Sequence, residues 1–194
     1  MATIAELLAS SLNALKQVQR GEDFTIIKSS DLSRTHIKRL VDNHFLKPII
    51  KGWYVVTDPR ATPGDSTAWY ASFWSFITRY ANERYGNEWC LSAEQSLSIY
   101  TGATIIPNQV LIRAPKGNDY MVPLIPPTSV FNLGAELPSK IDTNNPYNLN
   151  LYTLAEAIIV ATPTMYRNDA LTMRTALAMV HDSSDILKIL VDTG

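Results

Sequence analysis

Arg34, Lys38 and Arg39 place three positive charges within residues 34–39, with Thr35 and His36 between them and Ser33 just before. The chemistry open to such a set is recognition. A guanidinium pairs bidentately with the O6/N7 edge of guanine, an ammonium neutralises a phosphate, and a hydroxyl serves either. Other chemistry has little to stand on. His36, His44 and His181 have no partner at metal-ligand spacing, so no metal is expected. The single cysteine, Cys90, excludes an intrachain disulfide and reads as core between Trp89 and Leu91. Phosphate-cradling glycine loops and nucleophile elbows are absent from the sequence, so neither a cofactor nor an enzymatic activity is expected of the chain. Glu83 and Glu88 flank Gly86 with nothing convergent on them and read as a solvated helix end.

A helix must present the cationic set. Ser33 is its predicted N-cap, because the hydroxyl can accept from the open N–H groups of the first turn. Ile37, Leu40, Val41 and His44 recur at intervals of three and four. That stripe faces a core and turns Arg34, Thr35, Lys38, Arg39 and Asp42 outward. Asn43 is the predicted end, in a left-handed turn, and His44 packs or caps there. Apolar runs at 46–50 and 53–56 flank Lys51-Gly52 and predict two strands around a glycine turn. Upstream, Ile4, Leu7, Leu8, Leu12, Leu15 and Val18 predict a bracing helix over 3–19 that Gly21 stops, followed by a short strand over 24–27.

These elements predict a winged helix-turn-helix over residues 1–57, with the reading helix at 33–43 and the wing at 47–56. Residues 29–32 leave barely one turn for its second helix. In this arrangement Ser33, Arg34, Thr35, His36, Lys38 and Arg39 approach nucleic acid from the helix, and Lys28, Lys47 and Lys51 hold phosphates from the strand and wing. Charge agrees with this division. The net charge of −1 conceals eight basic against five acidic residues in 1–57, a net +3, and nine against thirteen beyond, a net −4.

The rest of the chain has a different character. Its 194 residues, 46% apolar, are enough to bury a core. Residues 58–65, rich in Pro, Gly and Asp, read as a linker. A helix over 66–85 follows, with Trp69, Tyr70, Phe73, Trp74, Phe76, Ile77 and Tyr80 on more than one face, which suits core packing or a contact surface. Ser92 caps a helix that Gly102 ends. Strands are predicted at 109–113 and, after a turn at 116–119, as a return strand over 120–125, with a third at 129–132. Residues 138–148 read as loop, and helices are predicted over 154–161, 168–180 and 182–191. The expected fold class is therefore α+β, a winged helix followed by an α+β domain at 66–194 with a small sheet and packed helices. No run approaches the roughly 20 apolar residues of a membrane span, and the N-terminus lacks the early basic residues of a secretory signal. No membrane partner and a cytoplasmic location are expected.

Two resemblances attach to particular segments. GWYVV, WCLSAEQSLSIYTG, QVLIRAP and LYTLAEAIIVATP, in that order, resemble the AbiEi group of winged-helix regulators, antitoxins of abortive-infection systems. LSRTHIKRLVDNHFLKPIIKGWYV, GDSTAWYASFW, WCLSAEQSL and TALAMVHDSSDILKIL are similar to the N-terminal region of a bacterial Fic-family subgroup, in which an AMP-transferring domain lies further on. The Fic motif His-Pro-Phe-x-x-Gly-Asn-Gly-Arg does not occur here, since the sequence contains no His-Pro. The chain stops at a predicted helix end, as the front portion of a longer Fic protein would. The resemblances imply a DNA-binding regulator or antitoxin acting on its own locus, and a two-fold operator leads to the expectation of a homodimer. The alternative is a non-catalytic module that positions or restrains a Fic or toxin domain, using the aromatic helix as its contact surface.

Overall fold

The computed structural model describes residues 3–19, 25–62 and 64–193, and its fold is α+β. Gly21, Phe24, Pro63 and Gly194 lie outside the described residues. Contacts group the chain into two units, Met1–Phe76 and Ile77–Gly194.

In the first unit, α1 (Ile4–Gln19) opens on a reciprocal cap. The Glu6 N–H donates to Thr3 Oγ1 at 3.2 Å, and the Thr3 N–H donates to Glu6 Oε2 at 2.7 Å. The backbone bond from Thr3, then its hydroxyl, hold the Glu6 carboxyl below its ordinary value. Leu15 and Ser11 are buried on this helix, whereas Ile4 is 86% exposed, so the apolar stripe starts only at Leu7. β1 (Ile26–Lys28), α2 (Arg34–Asp42), β2 (Leu46–Ile50) and β3 (Trp53–Val56) follow. The strands form an antiparallel sheet of order β1-β3-β2, with Ile26 opposite Val55 and Leu46 opposite Val56. Ile27, Leu32, Ile37, Leu40 and Leu46 join Leu15 in one core cluster.

No second helix forms between β1 and α2. A tight turn replaces it, in which the Lys28 N–H donates to Asp31 Oδ2 at 2.8 Å and the Asp31 N–H donates to the Lys28 carbonyl at 3.0 Å. Leu32 is buried beneath it. α3 (Thr67–Tyr85) sends Trp69, Phe73 and Phe76 inward. Phe76 meets Trp53 edge-on at 5.6 Å and Trp69 at 5.5 Å.

In the second unit, β4 (Cys90–Leu91), β5 (Gln109–Ala114), β7 (Ser129–Gly134) and β6 (Tyr120–Pro123) lie side by side in that order. The expected β5–β6 hairpin does not form. β5 runs parallel to β7, and β6 pairs with the far side of β7. The 116–119 turn crosses the end of β7 instead of folding back. A Cβ on Gly117 would overlap the Leu133 carbonyl, so only glycine allows this approach. Asp119 Oδ1 then accepts the Gly134 N–H at 2.9 Å. On the other side β4 is only two residues long, and Gln95 of α4 (Ala93–Tyr100) continues its pairing. Its amide accepts the Leu111 N–H at 3.0 Å and donates to the Gln109 carbonyl at 2.8 Å.

β8 (Ile141–Asp142) and β9 (Leu151–Tyr152) pair antiparallel, so the 138–148 loop contains a short strand. α5 (Leu154–Val160), α6 (Pro163–Asn168), α7 (Ala170–Ala178) and α8 (Ser183–Thr193) complete the unit. The helix expected over 168–180 is α7, and a further short helix, α6, fills 163–168 ahead of it. Pro163 starts α6 behind the Thr162 cap, and Asp169 breaks the helix and caps α7. Cys90, Leu97, Tyr152, Ile158, Met165 and Met173 share a core cluster.

Candidate nucleic-acid interface

α2 is bounded at both ends by backbone-satisfying contacts. Ser33 holds an extended conformation and its Oγ accepts the His36 N–H at 3.3 Å. At the other end the His44 N–H donates to Val41 O and the Phe45 N–H to Leu40 O, at 3.0 and 2.8 Å. That pair of bonds is the Schellman arrangement, and its left-handed residue is His44, with φ 61°. Asn43, the expected left-handed position, has φ −103° and donates from its side chain to the Arg39 carbonyl. His44 is therefore exposed past the helix end and leaves the stripe to Ile37 and Leu40, with Val41 half-buried.

The outward residues separate by their commitments. Arg34, Thr35 and Lys38 are exposed, and Arg39 is half-buried. Lys38 Nζ lies 2.6 Å from Asp42 Oδ2, with side-chain exposures of 76% and 54%. Such an i,i+4 surface pair contributes only about 0.3–0.5 kcal/mol. His36 is turned toward α1, its Nδ1 2.9 Å from the buried Ser11 Oγ. Lys28 stands 5.4 Å over the Trp53 ring. Lys47 on β2 and Lys51 in the β2–β3 turn are exposed.

That turn is anchored. Gly52 has φ +82°, and its carbonyl accepts the Ser29 N–H at 2.8 Å. A Cβ on Gly52 would come within 3.2 Å of Ser29 Oγ. The structure thus brings the Lys51-Gly52 turn against the turn that leads into Ser33 and α2.

A cavity of about 620 Å³ beside the helix end is lined by His44, Lys47, Asp58 and Asp65 over Val41 and Leu46. Its charges are mixed. Hydrogen bonds from Arg60 lower the Asp58 carboxyl, and those from Thr67 lower that of Asp65, where Lys47 adds a smaller attraction. Both carboxylates already serve the turns they sit in, so the cavity gathers no one-sided charge for a ligand.

Two side chains weighed for chemistry in the sequence, Cys90 and Glu88, are buried or paired. Burial pushes the Cys90 thiol up to about 12, which is the opposite of what a nucleophile needs. Glu88 pairs with Lys116 at 3.2 Å. Among the described residues no cluster of His, Cys, Asp and Glu could hold a metal ion, and no helix is long and apolar enough to cross a membrane.

The aromatic helix, the expected contact surface, keeps most of its aromatic side chains inside. Trp69, Phe73, Trp74, Phe76, Ile77 and Tyr80 are all buried, leaving Tyr70 as its exposed ring. Exposed apolar side chains gather instead on α8, where Leu187, Leu190 and Val191 are 60%, 49% and 80% exposed. A signal for this was present in the sequence. Ile186, Leu187, Ile189, Leu190 and Val191 cover about 200° of the helix, twice the stripe that one packed face needs. No protein-family model matches the chain, and no curated protein matches it.

Proposed function

We propose that the first unit is a winged-helix module that binds double-stranded DNA, and that the chain acts as a transcriptional regulator of antitoxin type on its own locus. The observation that carries this reading is the exposed Arg34–Thr35–Lys38 face of α2 beside an anchored hairpin turn that carries Lys51. A helix of nine residues flanked by a two-stranded wing suits a major groove, with phosphates held from the sides. The AbiEi resemblance in residues 52–56 and beyond agrees with it, and a two-fold operator would engage two copies. A mobility-shift assay over the upstream DNA of its own gene tests the reading. Binding at low salt that weakens at least tenfold in the Arg34→Ala/Lys38→Ala double variant is expected. No shift at low salt, or a shift indifferent to that variant, would sink it.

The α8 stripe favours a second reading, in which the C-terminal unit contacts a toxin or Fic-type domain. On that reading a Leu187→Asp/Val191→Asp variant loses co-purification with such a domain while its DNA shift is unchanged. Retained co-purification would count against the stripe.

A further inference from the structure

The cavity beside the end of α2 sets a lysine against two carboxylates. Its volume of about 620 Å³ falls in the range of small-molecule sites, and Val41 and Leu46 give it an apolar part. The titratable groups that line it are His44, Lys47, Asp58 and Asp65. Each carboxylate spends one oxygen on its own turn. Asp58 Oδ1 accepts the Arg60 backbone N–H at 2.9 Å and the Arg60 Nε–H at 3.3 Å, and Asp65 Oδ1 accepts the Thr67 N–H at 2.8 Å. The second oxygen of each has no donor among the described residues. Arg60 pairs with Asp58 at the surface, whereas Asp65 has no ion-pair partner among the described residues. Lys47, exposed on β2, makes no hydrogen bond or ion pair among them either, although its charge is felt at Asp65. An ion of either sign meets opposed charges in such a place. A molecule that carries both charges finds a partner for each.

We propose that this cavity binds a zwitterionic ligand of the amino-acid class, a free amino acid or dipeptide with an apolar side chain, its ammonium on Asp65 and Asp58, its carboxylate on Lys47 and its side chain against Val41 and Leu46. The carboxylate oxygens that the turns leave open accept from the ammonium, and Lys47 donates to the ligand carboxylate. Both are charge-assisted bonds, stronger than neutral ones. The two halves of the site come from different stretches of chain, Lys47 from β2 and the carboxylates from residues 58–65, so the ligand bridges them. The site stands independently of whether α2 contacts DNA.

The test is isothermal titration of the full chain with L-leucine and with Leu-Leu, which separates the free amino acid from the dipeptide, together with backbone NMR to locate the site. At least one of the two is expected to bind saturably, with amide shifts gathered at residues 41–48 and 57–65. The same ligand with its carboxylate amidated, with its amine acetylated, or with glycine in place of leucine binds at least about tenfold more weakly. Lys47→Met makes the free and amidated ligands bind alike. Asp58→Asn/Asp65→Asn makes the free and acetylated ligands bind alike, and asparagine keeps the Oδ1 acceptor that each turn uses, which circular dichroism checks. No saturable binding of either compound, shifts confined to other residues, altered ligands that bind as tightly as the free one, or preferences that survive in these variants overturn the proposal. The mobility shift reads DNA binding separately, so failure of one leaves the other standing.

Discussion

His44 offers a direct measurement of backbone strain at the end of α2. Its φ of 61° places an L side chain in the left-handed region, at a position where the Schellman bonds demand that conformation. The side chain there costs about 1–2 kcal/mol. Glycine removes that cost but gives the unfolded chain extra freedom, worth about 0.5–1 kcal/mol in the opposite direction. The imidazole is exposed, so little packing is lost. His44→Gly should therefore stabilise the first unit by about 0.5–1 kcal/mol. His44→Val, which puts a β-branched residue in the same conformation, should destabilise it by about 1–2 kcal/mol. Native-state hydrogen exchange at the Phe45 amide reads this most locally, because that N–H closes the longer Schellman bond to Leu40. Its opening should become about two- to fivefold rarer in the glycine variant and rise in the valine variant. Equal exchange in all three proteins, or a glycine variant less protected than the valine one, would refute a left-handed residue at 44.

Asn132 is fully buried and accepts from Tyr85 Oη at 2.9 Å while donating to Tyr80 Oη at 3.2 Å and the Tyr120 carbonyl at 3.3 Å. Asn132→Leu should cost about 2–4 kcal/mol in urea unfolding, since it strips partners from buried polar groups. Gly117→Ala should lower the melting temperature or abolish folding, because the added Cβ meets β7 backbone, whereas Gly52→Ala, opposed by its left-handed φ and the Ser29 hydroxyl, should cost about 1–2 kcal/mol. Cys90 should resist thiol reagents at pH 8 in the folded protein and react on unfolding. Its folded value of about 12 lies above the ordinary 9.0, so the native state keeps its proton longer than the unfolded chain. That contribution to stability is complete below pH 9 and lost as pH rises from 9 toward 12, by up to about 1.4 kcal/mol per unit, a slope that Cys90→Ala should reduce.

Local signals carried the first unit far. Ser33 as a cap, the Ile37–Leu40 spacing and Lys51-Gly52 between two β-rich runs each act through neighbours in sequence, and each appears where periodicity and turn chemistry place it. Among the candidate contacts, exposure followed from the helical period, but commitments did not. The His36–Ser11 contact joins residues 25 apart, and no pattern within α2 foretells it. In the second unit the error over β6 has the same origin. Residues 116–119 carry turn residues, yet the direction of the turn depends on Gly117 passing the end of β7, a contact 16 residues away. The aromatic helix was legible as a helix, while the edge-on contact of its Phe76 with Trp53 in β3, 23 residues away, was not. Conversely, the width of the apolar arc on α8 was readable from spacing alone.

Gln95 sets a limit on how this protein can assemble. With its amide occupying Leu111 and Gln109, and the Ser92 N–H on the Leu111 carbonyl, β5 has its ladder groups filled beyond the end of β4 without a neighbouring strand. A side chain cannot be copied from one molecule to the next as a strand can, so the sheet has no template for growth on that side. On the opposite side β6 is four residues long and ends in Pro123, which brings no N–H to a ladder. Copies of this sheet are thus discouraged from stacking edge to edge into fibres, which leaves side-chain surfaces as the route by which another molecule joins it.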